Sequence, residues 1–70
     1  MQRQPVDSTN LRSVGYEAEQ QILEIEFTSG SVYQYFNVPL AVYEALMAAS
    51  SKDTYHSQWI KYNFRYTRIG

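Results

Sequence analysis

The stretch Phe27-Thr28-Ser29-Gly30-Ser31-Val32-Tyr33-Gln34-Tyr35-Phe36 decides how this chain folds. Upstream of it, Ile22 to Phe27 alternates, with Leu23, Ile25 and Phe27 on one side and Glu24 and Glu26 on the other. That is the period-two pattern of a strand with one buried face. Val32 to Phe36 is rich in β-branched and aromatic residues, which strands favour. Between them, Thr28-Ser29-Gly30 is a hairpin signal. The loop length sets the register. A two-residue loop pairs Phe27 with Val32, puts Val32, Gln34 and Phe36 on the core face, and leaves Tyr33 and Tyr35 beside Glu24 and Glu26. A three-residue loop with Gly30 left-handed pairs Phe27 with Ser31 and sets Tyr33 and Tyr35 opposite Ile25 and Leu23, inside. Both registers stay open from sequence; burial of Gln34 in the first favours the second.

Working outward, Leu11 to Tyr16 reads as a preceding strand with Val14 and Tyr16 on one face and Gly15 marking a bulge. Residues 1–8 read as an irregular lead-in anchored by Val6, because Pro5 and the cap formers Asp7 and Ser8 interrupt any pattern. After the hairpin, Val38-Pro39 closes the sheet, and proline suits the first turn of a helix. A helix over 39–49 follows, with Val42, Tyr43, Leu46 and Ala49 as its apolar stripe and four alanines supporting it. A second, short helix over 54–61 is suggested by Tyr55, Trp59 and Tyr62, with Ser50 to Asp53 as its cap, and Phe64 to Ile69 alternates like a final strand. The fold class is α+β: a small antiparallel sheet of three or four strands against one main helix. The core candidates are Val14, Leu23, Ile25, Phe27, Val42, Leu46, Ile60 and Phe64.

The ordered set of strand, Ser-Gly turn, Tyr33-Gln34-Tyr35, Val38-Pro39 and helix resembles the KTSC domain, a short bacterial module marked by a central Tyr-x-Tyr. Ser8-Thr9-Asn10-Leu11 before Gly15-Tyr16 is similar to the family's opening, and Ala49-Ser50-Ser51-Lys52 to its Ser-Lys element. The resemblance runs over residues 6–69 and implies a single domain over 9–69 behind the lead-in. Asp53 stands where a glycine often follows the Ser-Lys, and His56 to Trp59 departs from the pattern too. Because the module also occurs at the C-terminus of some lysyl-tRNA synthetases, the resemblance implies an RNA-associated role without a known activity.

Composition bounds the remaining choices. Seventy residues bury only about 60% of the unfolded surface, and such cores supply about 3–5 kcal/mol. With no cysteine there is neither a disulfide nor a thiolate metal site. The opening residues lack the apolar stretch of a signal peptide, and no window approaches a membrane span, so the cytoplasm is the expected location. Residues 1–51 carry two basic against six acidic side chains, a net of −4, whereas 52–70 carry four basic against Asp53, a net of +3.

Catalysis finds little support. His56 is the single histidine, too few ligands for zinc, and reads as a surface residue despite Asp53 three positions away. Glu24 and Glu26 read as a solvated strand face, and no glycine-rich phosphate loop exists. No enzyme, cofactor or metal is expected. The sharper signal is the interleaving of aromatics and cations from Trp59 to Arg68, the mixture that holds single-stranded nucleic acid by stacking and phosphate contact. Tyr33, Tyr35, Lys61, Arg65 and Arg68 are the candidate binding residues. Against this, Trp59, Tyr62 and Phe64 would equally seal the far side of the sheet, and a pI near 5.6 is far from the strongly basic footprint of a dedicated binder. The competing partner is a protein, or a second copy of the chain, docking on residues 1–10 or on an edge strand at 11–16.

Overall fold

The computed structural model describes residues 1–70. One antiparallel sheet runs in chain order: β1 (Gln4–Pro5), β2 (Leu11–Glu17), β3 (Ile22–Phe27), β4 (Val32–Tyr35) and β5 (Tyr66–Arg68). Between β4 and β5 come α1 (Leu40–Ala48), α2 (Lys52–Tyr55) and a π turn over His56–Ile60. The fold is α+β as expected, with the main helix, the second short helix and the final strand all present, and the sheet has five strands where three or four were expected.

The hairpin adopts the three-residue register. Phe27 N–H donates to Ser31 O at 2.9 Å, and Gly30 has φ of 98°, a left-handed conformation that a side chain would strain. Leu23 therefore pairs with Tyr35 and Ile25 with Tyr33, while Gln34 lies opposite Glu24 on the other face.

Two expectations about the N-terminal part need correction. Residues 4–5, read as irregular, form β1: Gln4 pairs with Val14 and Pro5 with Ser13. β2 is thus an interior strand and not an edge. Gly15 pairs regularly with Glu24; the irregularity of β2 falls between Leu11 and Ser13. That extra residue restores Leu11 to the face of Val14, so Leu11 is buried. What Gly15 provides is space, because a Cβ there would lie 2.8 Å from the Gln2 carbonyl oxygen.

The core is Leu11, Val14, Leu23, Ile25, Tyr35, Val38, Leu46 and Ile60. Five of the expected core residues are in it, and Phe27, Val42 and Phe64 pack against it half-buried. Leu11, Tyr35 and Val38 are additions. α1 lies over the sheet through Leu46, with Tyr43 stacked on Tyr16 at 4.8 Å between centroids. α2 starts two residues earlier than expected, where the Ser51 side chain accepts from Thr54 N–H.

Behind the sheet, Glu24 and Glu26 are not a free solvated face. Glu24 is only 5% exposed. It meets the Arg3 guanidinium and accepts from Gln34 Nε2 at 2.8 Å. Arg3 Nε donates to Ser13 Oγ, and Ser13 donates in turn to Glu26, each at 2.9 Å. The alternation placed the carboxylates correctly on the outer face. β1 then brings Arg3 over that face, which the sequence pattern does not reveal.

Candidate aromatic cleft

Tyr43 of α1 stacks on Tyr16 of β2, whereas towards β5 Tyr66 is left exposed. There a cleft of about 410 Å³ lies between the sheet, the loop after β3 and the residues following the π turn. Phe27, Tyr33, Tyr35 and Tyr66 supply its sheet side, and His56, Lys61 and Tyr62 its helical side. Asn10, Thr28, Ser29 and Ser31 form a polar rim.

The strand register dictates this gathering. Tyr33 and Tyr35 share the face of Ile25 and Leu23, and Tyr66 is the cross-strand partner of Tyr35. The rings are set at angles. Phe27 meets Tyr33 edge-on at 5.7 Å and 89°, and Tyr66 is tilted by about 40° to both Tyr33 and Tyr35 at 5.5 and 5.8 Å. Edge-to-face and offset contacts suit the ring quadrupole.

His56 overturns the surface reading. It is 8% exposed, and its Nε2 lies 2.8 Å from the Tyr35 hydroxyl. Its ring also meets Phe27 and Tyr35 edge-on at 5.2 and 5.6 Å. In this segment Ile60 is buried as expected and Tyr55 packs against the core, whereas His56 turns inward against expectation. His56 and Ile60 point inward, while Trp59 is 57% and Tyr62 83% exposed. Trp59 and Tyr62 therefore do not seal the sheet, although Phe64 packs on the core. The π turn, closed by Lys61 N–H donating to His56 O at 2.9 Å, brings Lys61 and Tyr62 to the cleft. Such turns recur at functional sites.

Burial lowers the His56 pKa, Lys61's charge lowers it further, and Asp53 opposes both. Burial, then Tyr33 and Tyr66, push Tyr35 up to about 12. Both groups are neutral near pH 7, so their hydrogen bond joins two uncharged partners. The pH dependence of stability follows. Below about pH 6.5 an unfolded histidine gains a proton that folded His56 resists, so stability should fall as acid is added. Above about pH 10 an unfolded tyrosine ionises while Tyr35 does not, so stability should fall again up to about pH 12. Urea midpoints measured from pH 5 to 11 check this, and His56→Gln should flatten the acid limb. A wild-type acid limb retained in that variant would contradict the assignment.

Of the five candidate residues, the structure brings Tyr33, Tyr35 and Lys61 into one cleft. Tyr33 is half-buried and Tyr35 is 3% exposed, a core side chain with one edge at the site. Arg68 is exposed beside the cleft as the cross-strand partner of Tyr33, with its Nε donating to Gly70 O at 2.7 Å. Arg65, also exposed, precedes β5 and does not line the cleft. Phe27 and His56 line the cleft without having been expected there, and Tyr62 and Tyr66, part of the interleaved segment though not among the five candidates, line it too. Cross-strand alternation could have supplied Phe27 and Tyr66 once the register was fixed, whereas nothing in the sequence marked His56. Asp53 is structural: it accepts from Ser8 Oγ and, at 3.2 Å, from Asn10 N–H, tying the N-terminal segment to α2. No group of three or more His, Asp or Glu side chains is placed to hold a metal. No helix is long and apolar enough to cross a membrane.

A small five-stranded α+β domain with an aromatic cleft at one end of its sheet is the class defined so far. The KTSC domain model matches residues 7–64, and the chain belongs to that family. The crystal structure of the KTSC domain protein YPO2434 from Yersinia pestis superimposes with a TM-score of 0.96 at 39% identity, over 99% of this chain and 97% of that one. An uncharacterised protein of Stutzerimonas stutzeri is 47% identical over 70 residues, 99% of either chain. A lysine–tRNA ligase of Trichormus variabilis is 46% identical over 59 residues, covering 84% of this chain and 10% of the ligase. The chain thus spans about a tenth of the ligase it resembles.

Proposed function

We propose that this domain is a non-catalytic module that binds single-stranded RNA in the cytoplasm. The carrying observation is the cleft itself, in which Tyr33, Tyr35, Tyr66 and Phe27 meet Lys61 at one opening. Rings offer stacking surface and cations meet phosphates, the combination used for unpaired strands. An A-form duplex hides its base faces, so a cleft of this kind favours loops and ends. Arg68 lies beside Tyr33, and Arg65 extends positive charge along the same segment. The ligase relatives supply a nucleic-acid context. Tyr35 is buried and its pKa is pushed up to about 12, the opposite of an activated nucleophile, which supports the non-catalytic reading.

A docked protein strand is less well supported. The strand expected to be its edge, β2, is already paired on both sides, and the true edges β1 and β5 are two and three residues long. Short edges discourage strand addition.

Titration with fluorescent single-stranded RNA and bulk tRNA at low and moderate salt tests the proposal. Binding should weaken with salt at about −0.7 per phosphate contacted, summed over two to four phosphates. Arg65→Glu with Arg68→Glu should abolish binding or reduce it at least tenfold while the thermal transition is unchanged, since both side chains are exposed. Equal binding by the double variant would remove the arginines from the site. No binding by the wild type at low salt would end the RNA reading and leave a protein partner.

A further inference from the structure

We infer that the cleft receives one unstacked nucleobase, held edge-on to the Tyr35–His56 pair with its phosphate toward Lys61. This rests on the RNA reading only for the source of the base.

The geometry of the rings carries it. A platform that tracks successive bases needs exposed rings lying in one plane along an open sheet. Here Phe27 stands perpendicular to Tyr33, and Tyr66 is tilted against its neighbours. Tyr35 lies buried beneath. Only Tyr33 and Tyr35 are near-parallel, 24° apart, and Tyr35 is buried, so the rings line a cleft and do not pave a surface. The cleft volume of about 410 Å³ lies within the roughly 300–1,000 Å³ usual for sites that enclose one small ligand.

The polar groups are placed for one flat heterocycle. Among the lining residues, the Tyr35 hydroxyl and His56 Nε2 lie 2.8 Å apart. A hydroxyl has one donor and two acceptor sites. Phenol is the stronger donor and imidazole nitrogen the stronger acceptor, so Tyr35 donates to His56 and keeps its lone pairs for a ligand. Every standard base carries an N–H on its pairing edge that can meet them. At the opening, Lys61 is exposed, with its Nζ 5.3 Å from the Tyr62 ring centroid. A base seated against Tyr35 with Tyr62 as an outer lid leaves its 5′-phosphate near that ammonium. The Ser29 and Ser31 side of the rim faces the sugar.

The test uses the whole chain and the four ribonucleoside 5′-monophosphates, each titrated by NMR, with ribose 5-phosphate as the baseless probe. The expected result is saturable shifts centred on Phe27, Tyr33, His56 and Tyr66, different among the four bases and absent with ribose 5-phosphate. Tyr62→Ala, at a residue 83% exposed and free of folding consequence, should weaken all four about tenfold, as loss of one stacking ring does. Tyr35→Phe, its fold checked by circular dichroism, should weaken binding by about three- to tenfold and narrow the differences among bases. RNA bound by the wild type while nucleotides and ribose 5-phosphate give the same shifts, or none, would overturn the base pocket and leave the RNA reading standing. Nucleotides bound while RNA is not would uphold the pocket and end the RNA reading. Binding of neither would overturn both.

Discussion

Tyr35→Ala should leave the domain largely unfolded at 25 °C, seen as loss of the cooperative urea transition. Truncating a buried aromatic costs about 3–5 kcal/mol, against a total of about 3–5 kcal/mol for a core of this size. The environment supports the upper end. Tyr35 is 3% exposed, pairs with Leu23, and meets Tyr33, His56 and Tyr66. Its loss also strands the buried imidazole of His56, which costs about 1–3 kcal/mol where no water enters. Tyr33→Ala removes a half-buried ring and should keep the fold. A native spectrum and an unchanged midpoint in Tyr35→Ala would mean that the ring is not part of the core. The contrast bears on function. The two tyrosines of one motif divide the work, Tyr35 as the floor and Tyr33 as a wall, so lost binding in Tyr35→Ala would report unfolding and in Tyr33→Ala would report contact.

The parts of the fold legible in the sequence are those governed by local periodicity. β3 and β4 alternate cleanly, and Gln34 argued for the register that the Gly30 turn adopts. α1 has its stripe and its alanines. The remainder depends on contacts remote in sequence. The bulge near Arg12 shifts parity within β2, so Leu11 looked outward by counting and is in fact buried. The π turn over His56–Ile60 departs from the 4-and-3 spacing of Tyr55, Trp59 and Tyr62, and His56 is buried by Phe27 and Tyr35, both remote in sequence. The site was half legible for the same reason. Cations and aromatics near the C-terminus were visible as composition, but which of them meet is set by β5 pairing with β4 and by the turn after α2.

β1 is the element with the weakest local signal, and one glycine is expected to decide whether it docks. Gly15→Val should lower stability by about 1–3 kcal/mol, the range for overpacking a filled site. Valine is the better strand former, so a loss cannot come from β2 itself. It comes from a Cβ that would sit 2.8 Å from the Gln2 carbonyl oxygen and 3.1–3.2 Å from Met1 and Arg3 side-chain atoms, and backbone cannot swing away as a side-chain tip does. The strand must lift, and Arg3 lifts with it, leaving Glu24 to water. Arg3→Ala removes the same cation directly and should cost about 1–3 kcal/mol, because Glu24 is then short of a partner beneath a strand still in place. The two changes act on one unit, so their combination should cost no more than the larger single change, within about 0.5 kcal/mol. Urea midpoints of the four proteins measure this, and hydrogen exchange at Val14, the residue paired with Gln4, reports the strand directly. Additive losses with Val14 still protected would mean that β1 stays seated over a valine and that Arg3 holds Glu24 independently of it. Sub-additive losses with Val14 exposed would make the first five residues a cooperative flap, secured at one end by the space above Gly15 and at the other by a carboxylate that the sequence pattern had assigned to solvent.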